Sequence, residues 1–166
     1  MKILLAADGS AFTQIAARNL VAHLPWFAKT PEVHIVHVHP PLPYPGAAKI
    51  IGKAAVEKYQ RQDSEAALAT AEKELAAAGV PYISAWEVGD VAQHLDRYVK
   101  AHGIDLVVMG SHGHGALANL ALGSVATKCI ATLEVPIMIV RNSPLPKPAT
   151  RRERIYGPVA RKPRAS

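Results

Sequence analysis

The chain has very little cysteine, and its apolar runs are short. Cys129 is the only cysteine among 166 residues, which excludes an internal disulfide framework and fits a reducing compartment. No apolar run approaches the roughly 20 residues that a membrane-spanning helix needs. The apolar start of the chain resembles a signal peptide, but Asp8 interrupts it after too few residues. We therefore expect a cytoplasmic protein that does not enter a membrane.

Charge is also sparse, and its excess is confined to one end of the chain. Charged residues make up 19% of the sequence and hydrophobic residues 49%, which is typical of a globular protein. The net charge is +6, but seven basic residues and one acid, Glu153, lie within residues 142–166 and account for all of it. We expect a neutral domain over residues 1–141 and a basic, Pro/Arg-rich, disordered tail over 142–166. The tail has one aromatic residue, Tyr156, too few to stack on bases, so nucleic acid is a disfavoured but open partner.

Apolar runs alternate along the chain with segments of helix-forming residues. The predicted strands cover residues 3–7, 33–38, 82–88, 104–109 and 137–140. The predicted helices cover about 11–24, 54–78, 91–102 and a segment after Gly123 in which Val125, Cys129, Ile130 and Leu133 recur at helical spacing. Ser10 is a plausible N-cap of the first helix, which Pro25 is expected to stop, and Gly89-Asp90 starts the third. Prolines make residues 40–46 a predicted exposed loop. This alternation predicts an α/β fold, a three-layer sandwich with helices on both faces of a five-stranded parallel sheet.

The most distinctive stretch begins at the fourth predicted strand. Its apolar run lacks polar alternation, which indicates a strand buried on both faces, and it opens directly into Gly110 and Gly113. Ten residues later a second pair, Gly123 and Ser124, opens the last predicted helix. Glycine lets the backbone approach an anion, and a helix N-terminus supplies free N–H groups and a positive dipole end. The two turns together predict a phosphate-binding cradle.

A second candidate site residue, Asp8, follows the first predicted strand. In an open parallel sheet, ligands bind beyond the carboxyl ends of the strands, where the winding direction reverses. If the first and fourth strands are neighbours, Asp8 and Gly110 approach the same crevice. The sequence therefore predicts one ligand site built from both strand ends.

The glycine spacing resembles a known motif. Gly110, Gly113, Gly123 and Ser124 follow the pattern GxxG, nine residues, G[ST], which resembles the ATP-binding motif of the universal stress protein family. The resemblance extends to the Asp8-Gly9-Ser10 turn, the His37-Val38 strand end, the Gly89-Asp90 helix start and residues 105–111, and it covers about residues 1–141.

This resemblance implies a Rossmann-like fold with strand order 3-2-1-4-5 and a homodimer formed through the fifth strands. It places the chain in the ATP-binding subgroup, with ATP bound alone or together with Mg²⁺. Asp8 would lie near the ribose or the phosphate-bound metal, the backbone of Val38 would meet the adenine, and the glycines would surround the ribose and phosphates. The candidate nucleotide-binding residues are Ala7, Asp8, Val38, Met109, Gly110, His112, Gly113, His114, Gly123, Ser124 and Val125.

Simpler roles exist for the same residues. The glycine turns could merely join strands to helices, and Asp8 could only close an Asx-turn. Histidine is abundant, but no cysteine or nearby carboxylate completes a zinc ligand set, so no metal site is predicted in the protein itself. His34 and His37 are interpreted as packed strand residues.

The sequence shows no machinery for efficient catalysis. It offers no Walker lysine, no general base and no second acid placed for a two-metal site, so no catalytic residue is assigned. The resemblance therefore favours a nucleotide-dependent regulator of the stress response that acts as a homodimer on an unidentified protein partner. The alternatives are a slow ATPase or ATP-dependent transferase of the same superfamily, and an interaction protein that uses its basic tail.

Overall fold

The fold is seen in a computed structural model that describes residues 1–41, 52–114 and 122–141. Most of the predicted proline-rich loop, the middle of the glycine stretch from Gly115 and the predicted tail over 142–166 lie outside the described residues.

Five strands form one parallel sheet. They are β1 (Lys2–Ala6), β2 (Glu32–His39), β3 (Tyr82–Val88), β4 (Leu106–Gly110) and β5 (Ile137–Val140). Every pairing is parallel, and the spatial order is β3-β2-β1-β4-β5. The predicted sheet and strand order are therefore confirmed, with boundaries that differ from the predicted ones by up to two residues.

Helices cover both faces of this sheet. They are α1 (Ala11–His23), α2 (Lys53–Ala77), α3 (Val91–His102) and α4 (Ser124–Thr132). The Ser10 hydroxyl accepts a hydrogen bond from the N–H of Thr13 and caps α1 as predicted, and the carboxylate of Asp90 caps α3 through the N–H of Gln93. Within the described ranges, no helix is both long and apolar enough to cross a lipid bilayer.

Two apolar cores lie on opposite sides of the sheet. On one side Leu5 and Ile35 pack with residues of α1 and α2, including Leu20 and Leu75. On the other side Leu4, Val36 and Val107 pack with residues of α3 and α4, including Leu95 and Cys129. Because Val107 and Val108 point to opposite faces and both are fully buried, β4 has the two-sided burial that its uninterrupted apolar run predicts.

The predicted apolar stripe of α4 is partly wrong. Val125 and Ile130 are 41% and 50% exposed, whereas the buried stripe runs through Ala126, Cys129 and Leu133. A helix buries residues spaced by three or four, and the sequence contains two such registers of apolar residues, of which only one faces the sheet. The second register, which includes Val125 and Ile130, leaves apolar side chains at the surface.

The predicted end of α1 also differs from the structure. The α-helix ends at His23, and Pro25 lies inside a following 3₁₀ turn over Leu24–Trp26. This position tolerates proline, because the first N–H groups of a helical turn have no hydrogen-bond partner within the turn.

A carboxylate on α2 connects that helix to α1. Glu74 accepts hydrogen bonds from the Gln14 amide at 2.7 Å and the Arg18 guanidinium at 3.0 Å. The hydrogen bond from Arg18 is the largest cause that lowers the pKa of Glu74 below its usual 4.5. Glu74 is largely buried while Arg18 is half exposed, so solvent screens part of this attraction.

Glu74→Gln should lower the free energy of unfolding by about 1 kcal/mol at pH 7. A depressed carboxyl pKa stabilises the folded state above the unfolded-state pKa, and this contribution disappears as the pH falls through the folded-state value, below 4.5. Urea unfolding at pH 7 and at progressively lower pH measures the difference, with Glu65→Gln on the exposed face of α2 as the matched control. A difference that persists in acid would contradict this assignment.

Candidate functional site

A cavity of about 640 Å³ opens at the carboxyl edge of the sheet, where β1, β2 and β4 end. All the predicted site residues line it, and these are Ala7, Asp8, Val38, Met109, Gly110, His112, Gly113, His114, Gly123, Ser124 and Val125. They come from three separate parts of the sequence. The fold therefore brings every candidate residue to one space, at the edge where parallel sheets bind ligands.

Asp8 is held firmly at the floor of this cavity. Its Oδ1 accepts hydrogen bonds from the N–H of Ser10 at 3.0 Å and from the hydroxyl of Thr13 at 2.7 Å. The N–H of Asp8 in turn donates to the Thr13 hydroxyl at 2.9 Å. The Asx-turn considered from the sequence is therefore present, and Asp8 both closes that turn and lines the cavity.

The two glycine turns are joined through the backbone. The N–H of Gly123 donates to the carbonyl of Ser111, and the N–H of Ser111 donates to the carbonyl of Val140 at the end of β5, both at 2.8 Å. Gly123 is the N-cap residue of α4, so Ser124 begins that helix at the cavity. The N-terminal N–H groups of α4 and the Ser124 hydroxyl are consequently available to bind an anion.

Two of the glycines are required by close contacts. A methyl group on Gly110 would lie 2.7 Å from Cβ of Phe12, and one on Gly113 would overlap Oδ2 of Asp8. Real Cβ atoms essentially never approach other heavy atoms this closely. The glycine loop after β4 therefore lies directly against the turn after β1, as the sequence predicted for neighbouring strands.

Histidines strengthen this junction. His114 donates from Nε2 to the carbonyl of Asp8 at 2.8 Å, which connects the glycine loop to the β1 turn. The ring of His112 lies 5.4 Å from that of Phe12, and its Nδ1 is 3.1 Å from the Ser111 hydroxyl. His112 and His114 thus hold the two halves of the cavity together as well as lining it.

Sequence reasoning missed three polar side chains that line the cavity, those of Thr13, His37 and Asp63. Thr13 lies in the first turn of α1, so a hydroxyl five residues after Asp8 was an available signal. His37 was interpreted as a packed strand residue, and it is indeed 6% exposed, but the cavity extends around the end of β2 and reaches it. Asp63 comes from α2, and no spacing in the sequence connects it with the glycine turns.

Within the part of the chain that the structure describes, one ring nitrogen of His37 makes a hydrogen bond and the other makes none. Its Nδ1 lies 2.7 Å from the carbonyl of Ala7, whereas Nε2 is buried and has no partner among the described residues. Burial is the largest cause that lowers the pKa of His37 below 6.5. His39, two residues further along β2, instead reaches Asp63 at 3.4 Å and the carbonyl of Pro40 at 2.6 Å.

The described lining of the cavity has few charged side chains, and its carboxylates make it acidic. Its described lining includes two carboxylates, Asp8 and Asp63, and neither lysine nor arginine. An anionic ligand would therefore be held by backbone N–H groups, hydroxyls and a helix N-terminus, rather than by cationic side chains. In residues 1–41, 52–114 and 122–141, no three His, Cys, Asp or Glu side chains are grouped closely enough to hold a metal ion.

Cys129 lies outside the cavity, fully buried in α4. Burial, followed by the nearby charge of Asp90, raises the pKa of its thiol to about 11. Iodoacetamide reacts with the thiolate, so we expect no labelling of the folded protein at pH 7.5 and one adduct per chain in guanidinium. Intact-mass spectrometry distinguishes these results cleanly because the chain has a single cysteine. Rapid labelling of the folded protein would refute this burial.

The fold and the site define a parallel α/β protein with a ligand cavity at its carboxyl edge. The sequence profile of the universal stress protein family matches residues 1–141. The chain is 32% identical over 147 residues to universal stress protein Slr1230 of Synechocystis sp., covering 84% of this chain and 42% of that protein. It is 31% identical over 140 residues to a universal stress protein of Thermus aquaticus, covering 84% and 97%. The chain belongs to the universal stress protein family.

Solved structures share the same fold. The hypothetical protein MJ0577 superposes with a TM-score of 0.71 at 24% identity, covering 86% of this chain and 96% of that one. A universal stress protein in complex with cAMP gives 0.61 at 21% identity, covering 86% and 98%. A family protein from Arabidopsis thaliana with AMP bound gives 0.58 at 15% identity, covering 87% and 93%.

Proposed function

We propose that this universal stress protein binds ATP in the cavity between the β1 turn and the glycine loop, and that it acts as a nucleotide-dependent regulator. The observation that carries the proposal is the convergence of the β1 turn, the end of β2 and the two glycine turns on one cavity. Its volume of about 640 Å³ falls within the range usual for small-molecule sites, roughly 300–1,000 Å³.

The polar groups of the cavity suit a phosphate chain at one end. Gly113 leaves room beside Asp8, and the N-terminus of α4 with the Ser124 hydroxyl offers donors. Because Asp8 and Asp63 are the charged side chains of the described lining, a triphosphate would meet negative charge. Mg²⁺ between Asp8 and the phosphates would remove this repulsion, since carboxylate and phosphate oxygens are its preferred ligands.

Adenine nucleotides also fit what is known of proteins with this fold. One structural neighbour holds cAMP and another holds AMP. These proteins share only 21% and 15% of their aligned residues with this chain, so they support the class of ligand rather than its identity. The glycine and serine pattern from Gly110 to Ser124 is what favours ATP over these smaller ligands.

Calorimetric titration with ATP, ADP, AMP and cAMP, each with and without Mg²⁺, tests this proposal. We expect saturable binding at one site per chain, with ATP favoured when Mg²⁺ is present. Ligand binding to the folded state also raises its stability, so the same ligands should raise the melting temperature. Absence of both heat and stabilisation at millimolar ATP would overturn the proposal.

Binding, rather than turnover, is the proposed role of the bound nucleotide. The described cavity lining lacks the cationic side chains that usually neutralise a phosphoryl-transfer transition state. We therefore expect labelled ATP to remain intact, or to be hydrolysed only slowly, during incubation with purified protein. Several turnovers per minute without a partner would favour the ATPase or transferase alternative.

A further inference from the structure

We propose that His37 recognises the nucleoside part of the bound nucleotide, with its Nε2 accepting a hydrogen bond from a ligand N–H or O–H group. This inference rests on the proposed nucleotide binding and assigns a specificity-determining residue within that site.

The hydrogen-bonding role of His37 follows from its contact with Ala7. A carbonyl oxygen can only accept, so Nδ1, at 2.7 Å from the Ala7 carbonyl, must carry the proton that is donated. In a neutral imidazole the other nitrogen is then an acceptor. Nε2 of His37 is therefore fixed as an acceptor by a backbone contact at the end of β1.

Nε2 is buried and has no partner within residues 1–41, 52–114 and 122–141. His37 is 6% exposed and lines the cavity, and no described residue donates to its Nε2. Buried polar atoms nearly always have partners, and one that is left unsatisfied destabilises the folded protein. By contrast, His34 on the same strand uses both nitrogens, one with Tyr98 and one with Glu32. Among the histidines of β2, the acceptor without a described partner thus belongs to His37, which lines the cavity.

Burial keeps His37 neutral at pH 7, although it has charged neighbours. His39 on β2 disfavours its protonation, while Asp63 on α2 and Asp8 after β1 favour it. Burial outweighs these contributions and lowers the pKa. The acceptor at Nε2 is consequently retained under physiological conditions and would be lost in acid, where the ring becomes a donor at both nitrogens.

The position of His37 indicates which part of a nucleotide it meets. It lies on β2, two strands from β4 in the order β2-β1-β4, which places it about 10 Å from the strand that carries the glycine cradle. Phosphate oxygens ionised at neutral pH have no proton to donate. The matching donors are the exocyclic amine of adenine and the ribose hydroxyls, both of which belong to the nucleoside.

A cycle of protein and ligand changes tests the contact. Calorimetry would compare ATP with purine riboside triphosphate, which lacks the amine, and with 2′-deoxy-ATP and 3′-deoxy-ATP. We expect wild type to bind one of these analogues about tenfold more weakly than ATP. His37→Phe should bind ATP about tenfold more weakly and should no longer discriminate against that same analogue. The analogue identifies whether the donor is the amine or a hydroxyl.

His34→Phe is the matched control, because it also replaces a buried histidine of β2 but lies on the opposite face and does not line the cavity. It should keep the discrimination of wild type. If His37→Phe discriminates against every analogue as wild type does, the inference is overturned while ATP binding stands. If wild type binds no nucleotide, the proposed function itself fails, and the first titration shows this.

A measurement on the wild-type protein tests the same contact without a substitution, so it remains valid if His37→Phe does not fold. Nitrogen NMR of ring-labelled histidine should show His37 as the Nδ1–H tautomer, with its bare Nε2 resonance shifting when ATP is added. A Nε2 resonance of His37 that does not respond to saturating ATP would also overturn the inference.

Discussion

Gly113→Ala should weaken ATP binding by about ten- to a hundredfold while leaving the protein folded. A methyl group at this position overlaps Oδ2 of Asp8, so the carboxylate and the glycine loop cannot keep their present separation. Asp8 cannot easily yield, because Ser10 and Thr13 hold its other oxygen. A contact to a charged group is worth about 1.5–3 kcal/mol, and each 1.4 kcal/mol is a factor of ten in affinity.

Replacing Gly113 by alanine tests the contact with Asp8 alone, because the backbone dihedral angles at Gly113 are ones that alanine can adopt. Its φ lies outside the left-handed region, unlike that of Gly103, where φ is +62°. Gly103→Ala is therefore the control: it strains the end of α3 in open space, so it should lower stability without changing ATP affinity. Calorimetry and thermal unfolding of both variants separate these outcomes. Unchanged affinity in Gly113→Ala would remove the glycine loop from the site.

A double variant tests the stated cause. If the clash with Asp8 is responsible, Asp8→Ala and Gly113→Ala should not be additive, because the second change adds little once the carboxylate is gone. Additive losses would mean that Gly113 acts through another contact.

Ile139→Lys should convert the homodimer that we expect to form through β5 into a monomer at micromolar concentration. β5 pairs only with β4 in the described sheet, and its apolar residues Ile137, Met138 and Ile139 are only half buried. Val125 and Ile130 leave further apolar surface on α4, in the layer that packs against the same face as Ile139. An apolar edge strand that stays unpaired promotes aggregation, so we propose that a second copy covers it.

The size of this effect follows from the cost of burying an ammonium group in an apolar interface. Interface residues of this kind contribute about 2–4 kcal/mol, which raises the dissociation constant at least about thirtyfold. Light scattering of wild type and variant measures the change. Ile83→Lys, at a 49% exposed position on the opposite edge strand β3, is the matched control and should remain dimeric. A monomeric wild type would contradict the proposed dimer.

Local sequence was enough to predict the sheet because its signals agree with one another. The uninterrupted apolar run of β4 indicated two-sided burial, and Ser10 and Asp90 marked helix starts that the structure confirms. The exposed residues of α4 were harder to predict from the sequence. Val125 and Ala126 both belong to apolar registers, and only packing decides which register faces the sheet.

The sequence predicted the glycines of the cavity better than the side chains that line it. Gly110 and Gly113 carry a spacing signal, and the close contact of Gly113 with Asp8 explains why glycine is needed there. His37 carried no such signal, because strand alternation places it on the face opposite Val38, yet both line the cavity at the strand end. Asp63 lines the cavity only because tertiary packing places α2 beside it, which the sequence does not indicate.

The hydrogen bonds on either side of Ser111 connect the glycine cradle to the end of β5. The nucleotide site and the proposed dimer edge therefore share a continuous backbone frame. Linkage is reciprocal, so if ATP changes the dimer dissociation constant, dimerisation must also change ATP affinity. Because a dimer would bind two ATP molecules, the change in affinity at each site is the square root of the change in the dimer dissociation constant. The amount of this protein in a cell would then set the ATP level at which its assembly state responds.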